Sequence, residues 1–348
     1  MASQKRKRSD RLLSVLGEFD ETMVIMHNNP DPDAIATGWA LLLLVDRRLH
    51  KPVRLLGRGP VLRAENVQLL KLLQPPIELV EEISPDAHTA TVLVDCSPAS
   101  ANHLLGGDNP PVAVIDHHES TGDGFRIPFR DLRPKVTASA SIATEYMREQ
   151  RLDPPPAVAT ALLYAIRTEM IGARKALSRV DHSALRWLSG FAEYDVLFEI
   201  ENPPLPRYYY EELLLGLDSV LVYADSAVCF LPRITAPESV GEVADLLIRC
   251  DHLKYVLCGG RIGDDFLFSA RSKGDKHTAL TLLNPVLSGL GNFGGHRHRA
   301  GGKISVPMSG MDSDELEQAV RTRWLDACGS TVRRGQRLVG RKEIMRRL

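Results

Sequence analysis

Residues 22–34 read TMVIMHNNPDPDA, an apolar run followed by one histidine, two aspartates and two prolines. The run TMVIM predicts a β-strand, and the segment after Asp33 predicts a helix. Each proline disfavours helix in the residue before it, so His27, Asp31 and Asp33 can converge at the carboxyl end of the strand. Open α/β sheets bind ligands at that end. A surface loop in which Asp33 merely caps the next helix is the alternative.

Two later strands end in the same kinds of side chain. TVLVDCS places Asp95 after a strand, and VAVIDHHES places Asp116 after another, followed at once by His117 and His118. Each is a weak signal alone, because capping aspartates and buried histidines are common. Parallel strands bring their carboxyl ends to one edge of a sheet, so together these residues predict a metal centre.

The expected ligands are carboxylates and imidazoles without thiolates, which suits Mn²⁺, Fe²⁺, Co²⁺ or Zn²⁺ better than Mg²⁺ or Ca²⁺. The candidate ligands are too many for one ion with an open position. We therefore expect two divalent ions that share a carboxylate. Such a pair activates water and stabilises charge during displacement at phosphorus, so the expected chemistry is phosphoester hydrolysis.

The 348-residue chain is long enough for two domains. Strands alternate with helices in both halves, which predicts an α/β protein with a parallel-sheet domain over residues 15–201 and a smaller α/β domain over residues 213–330. The three prolines of ENPPLPRYYY predict a linker over residues 202–212. The basic ends, residues 1–14 and 331–348, predict solvated tails, with nucleic-acid contact as the alternative.

Composition narrows the class of protein. A net charge of −1 argues against a surface that wraps nucleic acid. Five scattered cysteines without a C-x-x-C pair predict reduced thiols rather than a zinc knuckle or a disulfide framework. The longest apolar run near the start, WALLLLV, is too short to span a membrane, and no secretory signal follows the basic start. We expect a cytoplasmic protein without membrane contact.

With HNNPDPDA, VDCS, DHH and GGHRHRAGG in this order, the sequence resembles the DHH phosphoesterase superfamily, in the branch with a C-terminal DHHA1 domain. It is most similar to bacterial nanoRNases that also act on 3′,5′-phosphoadenosine (pAp). The resemblance covers nearly the whole chain except the basic ends, and four ordered motifs are more specific than DHH alone. It implies an active site in the cleft between a DHH domain and a DHHA1 domain.

The family pattern, carried over by position, makes His27, Asp31 and Asp33 metal ligands. It makes Asp95 the carboxylate that bridges both ions and His117 a ligand of the second ion.

The same pattern gives His118 and Asp116 catalytic roles. His118 would face the scissile phosphate, where it stabilises charge or helps to protonate the leaving oxygen. Asp116 would orient an imidazole, with a turn residue at a strand end as the alternative.

The chain departs from the family pattern at LLYAIRTEMIG. Relatives carry a T-D-T-G-like turn whose aspartate binds the second metal, whereas this chain has Glu169. Glutamate can replace aspartate as a ligand, although its extra methylene displaces the carboxylate. The alternative is that Glu169 forms an ion pair with Arg167 or Arg174 and leaves a weakened site.

The segment GGHRHRAGG implies a substrate-binding loop. Glycines let backbone N–H groups approach an anion closely, and neighbouring cations add charge-assisted hydrogen bonds. The resemblance gives Gly294, Gly295 and His296 to this loop, joined by Arg271 of FSARS. Arg299 stands where relatives have a small residue, and it would add a phosphate contact or narrow the pocket.

The predicted activity is hydrolysis of dinucleotides, very short RNA and pAp to mononucleotides such as AMP and GMP, with two Mn²⁺ ions as cofactors. A homodimer is compatible with this prediction. One alternative is an exonuclease on longer single strands, which would shorten them progressively with salt-dependent binding. The other is a nucleotide-binding regulator with a weakened metal site, which would bind nucleotide without Mn²⁺-dependent turnover.

Overall fold

The structure, a computed structural model, describes residues 7–99, 102–105, 109–118, 124–172, 177–274, 277–295, 297–340 and 346. The chain divides into two compact units, Met1–Pro204 and Leu205–Leu348, called the first and second units below. The predicted α/β class is confirmed.

The first unit is built on a parallel sheet. Over its described residues the sheet has six strands in the order β3-β2-β1-β4-β5-β6. These strands are β1 (Glu21–Asn28), β2 (Val53–Arg58), β3 (Ile77–Leu79), β4 (Thr89–Val94), β5 (Ala113–Asp116) and β6 (Phe129–Leu132). Every residue of β4 is buried, as in a strand covered on both faces.

Helices connect these strands and continue the first unit after them. They are α1 (Arg8–Leu16), α2 (Pro32–Leu49), α3 (Ala64–Leu73), α4 (Ser139–Glu149), α5 (Pro156–Gly172), α6 (Arg179–Leu188) and α7 (Tyr194–Glu201). The segment predicted as a solvated tail, residues 1–14, is helical from Arg8 onward. Its helix buries Leu12 and Leu16 in the core, and Arg8 Nη1 lies 3.2 Å from Asp131 Oδ1.

The second unit contains a mixed sheet with its own core. Within the described part of the chain its seven strands follow the order β11-β12-β10-β9-β8-β7-β13. Its elements are α8 (Arg207–Ser219), β7 (Leu221–Tyr223), β8 (Ser226–Leu231), α9 (Ser239–Leu247), β9 (Tyr255–Ile262), β10 (Asp265–Ser272), α10 (Ala279–Leu287), β11 (Asn292–Gly295), β12 (Arg299–Ser305), α11 (Val306–Ser309), α12 (Ser313–Ala327) and β13 (Gln336–Arg337).

Regular structure extends into segments predicted as irregular. Helix α8 begins at Arg207, within the predicted linker 202–212. Strand β13 lies in the predicted tail 331–348 and pairs antiparallel with β7. None of the described helices is long and apolar enough to cross a membrane.

Candidate functional site

Three neighbouring strands of the first unit deliver polar side chains to one edge of the sheet. Strands β1, β4 and β5 are adjacent and parallel, so their carboxyl ends meet. His27 lies near the end of β1, Asp95 directly follows β4, and Asp116 ends β5. This edge is where the sequence predicted the metal centre.

The two aspartates of HNNPDPDA bind the N-termini of different helices. Asp31 is the N-cap of α2, and its Oδ1 accepts hydrogen bonds from the N–H groups of Asp33 and Ala34. Asp33 is 1% exposed, and its carboxylate accepts from the N–H groups of Ser139 and Ala140 at 2.7 Å each. Asp33 therefore binds the N-terminus of α4 rather than capping α2, which fixes its carboxylate beside the end of β4.

Asp95 lies at the centre of the cluster. It is buried, and its Oδ1 accepts a hydrogen bond from Ser139 Oγ at 2.9 Å. His27 Nε2 lies 3.8 Å from its Oδ2, and His117 Nε2 lies 3.5 Å from its Oδ1. One carboxylate thus has an imidazole beside each of its oxygens.

Two groups of three candidate ligands share Asp95. One group is His27, Asp31 and Asp95, and the other is Asp95, His117 and His118; within each group the ligand atoms lie within 4.8 Å of one another. The sequence placed His118 opposite the substrate phosphate, whereas the structure puts it among the possible ligands as well.

The electrostatics of the cluster favour a cation. Burial, followed by the negative charges of Glu169 and Asp31, raises the pKa of Asp33 to about 8. Burial and the surrounding carboxylates also raise the pKa of Asp95. Burial lowers the pKa of His27, but the Asp31 carboxylate outweighs it, and the pKa rises to about 9. Buried carboxylates that repel one another are the donor set that divalent cations neutralise, so these residues fit a metal centre.

His118 and Asp116 form a fixed pair. His118 Nδ1 lies 2.7 Å from Asp116 Oδ1. The same oxygen also accepts a hydrogen bond from the backbone N–H of His118. Burial lowers the pKa of His118, but the hydrogen bond to Asp116 and its charge prevail and raise it. Asp116 thus fixes the orientation of this imidazole, the geometry expected of a supporting carboxylate.

Glu169 lies on α5 close enough for its charge to act on the cluster. Its carboxylate raises the pKa of both Asp33 and Asp95. Arg167, one of its two suggested partners, places Nε 2.8 Å from Glu201 Oε1. Arg174, the other suggested partner, lies outside the described residues.

Two residues near the cluster were not assigned to it from the sequence. Ser139 opens α4, where its Oγ donates a hydrogen bond to Asp95 and its N–H donates one to Asp33. His103 is 9% exposed and forms an isolated β-bridge with His27. It stands in a loop without periodic pattern, so no sequence signal distinguished it.

In the second unit, two predicted substrate-binding arginines meet at Asp245. Arg271 is 8% exposed, its Nε donates to Asp245 Oδ1 at 2.7 Å, and its Nη1 donates to Ser269 Oγ at 2.8 Å. Arg299 pairs with Arg271 across β10 and β12, and its Nη2 lies 3.6 Å from the same oxygen. Arg271 is therefore a buried, paired cation, whereas the Arg299 side chain is 38% exposed.

The glycines of GGHRHRAGG belong to a hairpin rather than to a turn alone. Gly294 and Gly295 end β11 and pair with Gly301 and Ala300 of β12. His296, the remaining residue predicted for this loop, lies outside the described residues.

Residues 21–166 match the DHH family, N-terminal domain. The matched range covers less than half of the chain. It contains all the candidate ligands except Glu169, which follows the matched range by three positions.

The chain resembles several proteins over most of its length. The chain is 29% identical over 315 residues to an uncharacterised protein of Methanocaldococcus jannaschii. The alignment covers 88% of this chain but only 64% of that relative. An exopolyphosphatase-related protein from Bacteroides fragilis superposes with a TM-score of 0.67 at 16% identity, covering 92% of this chain and 97% of the other. RecJ from Thermus thermophilus, crystallised with Mn²⁺, superposes with a TM-score of 0.54 at 15% identity, covering 95% of this chain and 56% of RecJ. At these identities the likenesses show a shared fold.

Proposed function

We propose that the protein is a phosphoesterase whose DHH domain uses two divalent cations, Mn²⁺ by preference. The sharing of Asp95 by two groups of three ligands carries this proposal, since a bridging carboxylate is the hallmark of a two-metal site. His27, Asp31 and Asp95 would hold one ion. Asp95 and His117 would hold the other, with Asp33 and Glu169 completing the shell.

Bound cations would supply Lewis-acid activation of water and stabilisation of charge at phosphorus. The chain's own part is to hold the carboxylates before any ion arrives. Asp33 is fixed by two N–H groups of α4 and Asp95 by Ser139, so neither has to reorganise on binding.

We assign the proton transfer to His118. Asp116 holds its Nδ1 and raises its pKa, which keeps the imidazole able to donate a proton to the leaving oxygen near neutral pH.

For the substrate we propose very short RNA, dinucleotides above all, and pAp, each hydrolysed to mononucleotides. Support comes from the second unit, where Arg299 lies beside the glycine-rich hairpin. A guanidinium next to close-approaching backbone suits a terminal phosphate. Arg271, which is buried, would contribute by positioning Asp245 rather than by contacting the substrate itself.

The test is to remove bound metal, restore Mn²⁺, and follow a 5′-phosphorylated RNA dinucleotide and pAp by chromatography. Asp95→Asn should abolish mononucleotide release, because both ions lose their shared ligand. Asp46→Asn, an exposed aspartate on α2, is the matched control and should act as wild type.

Turnover by Asp95→Asn at the wild-type rate would refute the two-metal assignment. Progressive shortening of a longer single strand, at a rate exceeding dinucleotide cleavage, would replace the proposed substrate with longer nucleic acid. Nucleotide binding without Mn²⁺-dependent release would instead support a regulatory role.

A further inference from the structure

A cavity between α4 and α6 of the first unit involves none of the candidate metal ligands. It has a volume of about 200 Å³ and is lined in part by Ser141 and Arg148 of α4 and by Arg179 and Ser183 of α6. A wider groove of about 460 Å³ shares Arg148 and Ser183 and continues to Arg186, Trp187 and Phe191. We call the two together the α4–α6 groove.

The α4–α6 groove is rich in positive charge. Arg148, Arg179 and Arg186 border it, and none of the three forms an ion pair with a described residue. Arg148 donates instead to the Ser183 hydroxyl. The first turn of α6 also lines the cavity, and the N-terminus of that helix is closed by the Ser178–Asp181 capping box. Arg179 opens this helix, where a cation is unfavourable for helix stability, and helix formation therefore does not explain its position.

A buried hydroxyl in the cavity lacks a partner. Ser141 is fully buried, and among the described residues its Oγ has no hydrogen-bond partner. A buried hydroxyl without a partner costs free energy, which a bound acceptor would recover. Glu145, the carboxylate of the lining, pairs with Arg133 and so does not cancel the arginine charge.

The wider end of the groove is aromatic. Trp187 and Phe191 are half-buried, with ring centroids 5.2 Å apart and an interplanar angle of 64°. The guanidinium carbon of Arg148 lies 6.0 Å from the Trp187 ring centroid. Exposed aromatic faces beside cations are how proteins stack the bases of single-stranded nucleic acid.

We propose that the α4–α6 groove is a second nucleotide site. Its phosphate lies among Arg148, Arg179 and Ser141, and its base stacks on Trp187. The groove's volume of about 460 Å³ is of the size that holds a small organic ligand. The nucleotide is either a free mononucleotide or one residue of an RNA strand. This site uses no candidate ligand, so it stands independently of the proposed hydrolysis.

The test measures tryptophan fluorescence of the full chain in EDTA, with inorganic phosphate, AMP and a 5′-phosphorylated adenylate hexamer as separate probes. AMP should quench the fluorescence, and Trp187→Phe should remove the quench while Trp39 and Trp324 remain. Arg148→Ala should weaken AMP binding about tenfold or more, since a charge-assisted hydrogen bond is lost. Arg47→Ala, which removes an exposed arginine of α2, should bind as wild type.

Ser141→Ala separates binding from folding. It should weaken AMP binding without lowering the melting temperature, because the hydroxyl has no described partner to lose. Tighter binding of the hexamer than of AMP identifies a strand as the ligand, and equal binding identifies a free nucleotide; both support the site. Equal affinity of wild type, Arg148→Ala and Arg47→Ala overturns it. So does inorganic phosphate binding as tightly as AMP, because the base would then contribute nothing.

Discussion

Asp95 combines two demands at one position, a left-handed backbone and a ligand carboxylate. Its φ is 56°, a conformation that aspartate and asparagine adopt with less strain than alanine. The same residue is buried among other carboxylates, which raise its pKa. Asparagine tolerates the same backbone conformation but carries no charge, so Asp95→Asn separates the effect on folding from the effect on metal binding.

We predict that Asp95→Asn leaves the metal-free protein at least as thermally stable as wild type, because the substitution removes a buried negative charge. Asp95→Ala should be less stable than Asp95→Asn by about 1–2 kcal/mol, the cost of a left-handed alanine. Mn²⁺ should raise the melting temperature of wild type but not of Asp95→Asn. Thermal unfolding in EDTA and in Mn²⁺ measures both effects. Equal Mn²⁺ stabilisation of the two proteins would place the ions elsewhere.

Glu169 is a proposed ligand of the second ion, and it stands where the family pattern has aspartate. We predict that Glu169→Gln raises the Mn²⁺ concentration for half-maximal activity about 10- to 100-fold, the range for loss of a supporting metal contact. Glu169→Asp, which restores the family's residue type, should have a smaller effect. Activity measured against Mn²⁺ concentration is the readout. If Glu169→Gln matches wild type, neither a bond from Glu169 to the metal nor the charge of Glu169 supports activity.

At the scale of elements, the glycine-rich hairpin of β11 and β12 depends on one glycine more than on its neighbour. Gly295 has φ 143°, and a Cβ there would lie 2.4 Å from Ala300 Cα. A Cβ at Gly294 would meet no atom within 4 Å. Alanine substitutions at these two adjacent glycines therefore provide a test position and its control.

We predict that Gly295→Ala destabilises the second unit by roughly 1–3 kcal/mol, because the added methyl must displace backbone. Gly294→Ala should unfold as wild type does. Denaturant unfolding of both variants tests the hairpin. Equal stability of the two would show that β11 does not pair with β12 as described.

Some strands form from residues that carry little strand signal of their own. Strand β11 reads NFGG, and β12 begins in the same glycine-rich segment, yet both form because glycine leaves room for neighbours. At Gly302, for example, the Leu287 side chain fills the space of a Cβ. Strand β6, FRDL, is short and half polar. Tertiary pairing, which a local pattern does not contain, specified these strands.

At the scale of the whole molecule, one part of the candidate site could be predicted from the sequence and another part could not. Three strand ends carrying His27, Asp95 and Asp116 could be predicted, because apolar runs followed by polar residues mark the ends of buried strands. The contact of Asp33 with Ser139 could not, since it joins residues 106 positions apart. The pairing of Arg271 with Asp245 is likewise a tertiary contact, and the sequence does not indicate that this guanidinium is buried.

Among the described residues the two units have separate hydrophobic cores, with two clusters around β1 and β4 in the first unit and two around β8 to β10 in the second. We predict that a chain ending at Pro204 folds cooperatively and is stabilised by Mn²⁺, because the proposed ligands of both ions lie in the first unit. It should hydrolyse a simple diester such as bis(p-nitrophenyl) phosphate, but its KM for the RNA dinucleotide should rise at least about tenfold, for want of the Arg299 contact. The same fragment with Asp95→Asn is the control. An unchanged dinucleotide KM would remove the second unit from substrate binding, whereas a fragment that folds but gains no stability from Mn²⁺ would show that the first unit alone does not hold the ions.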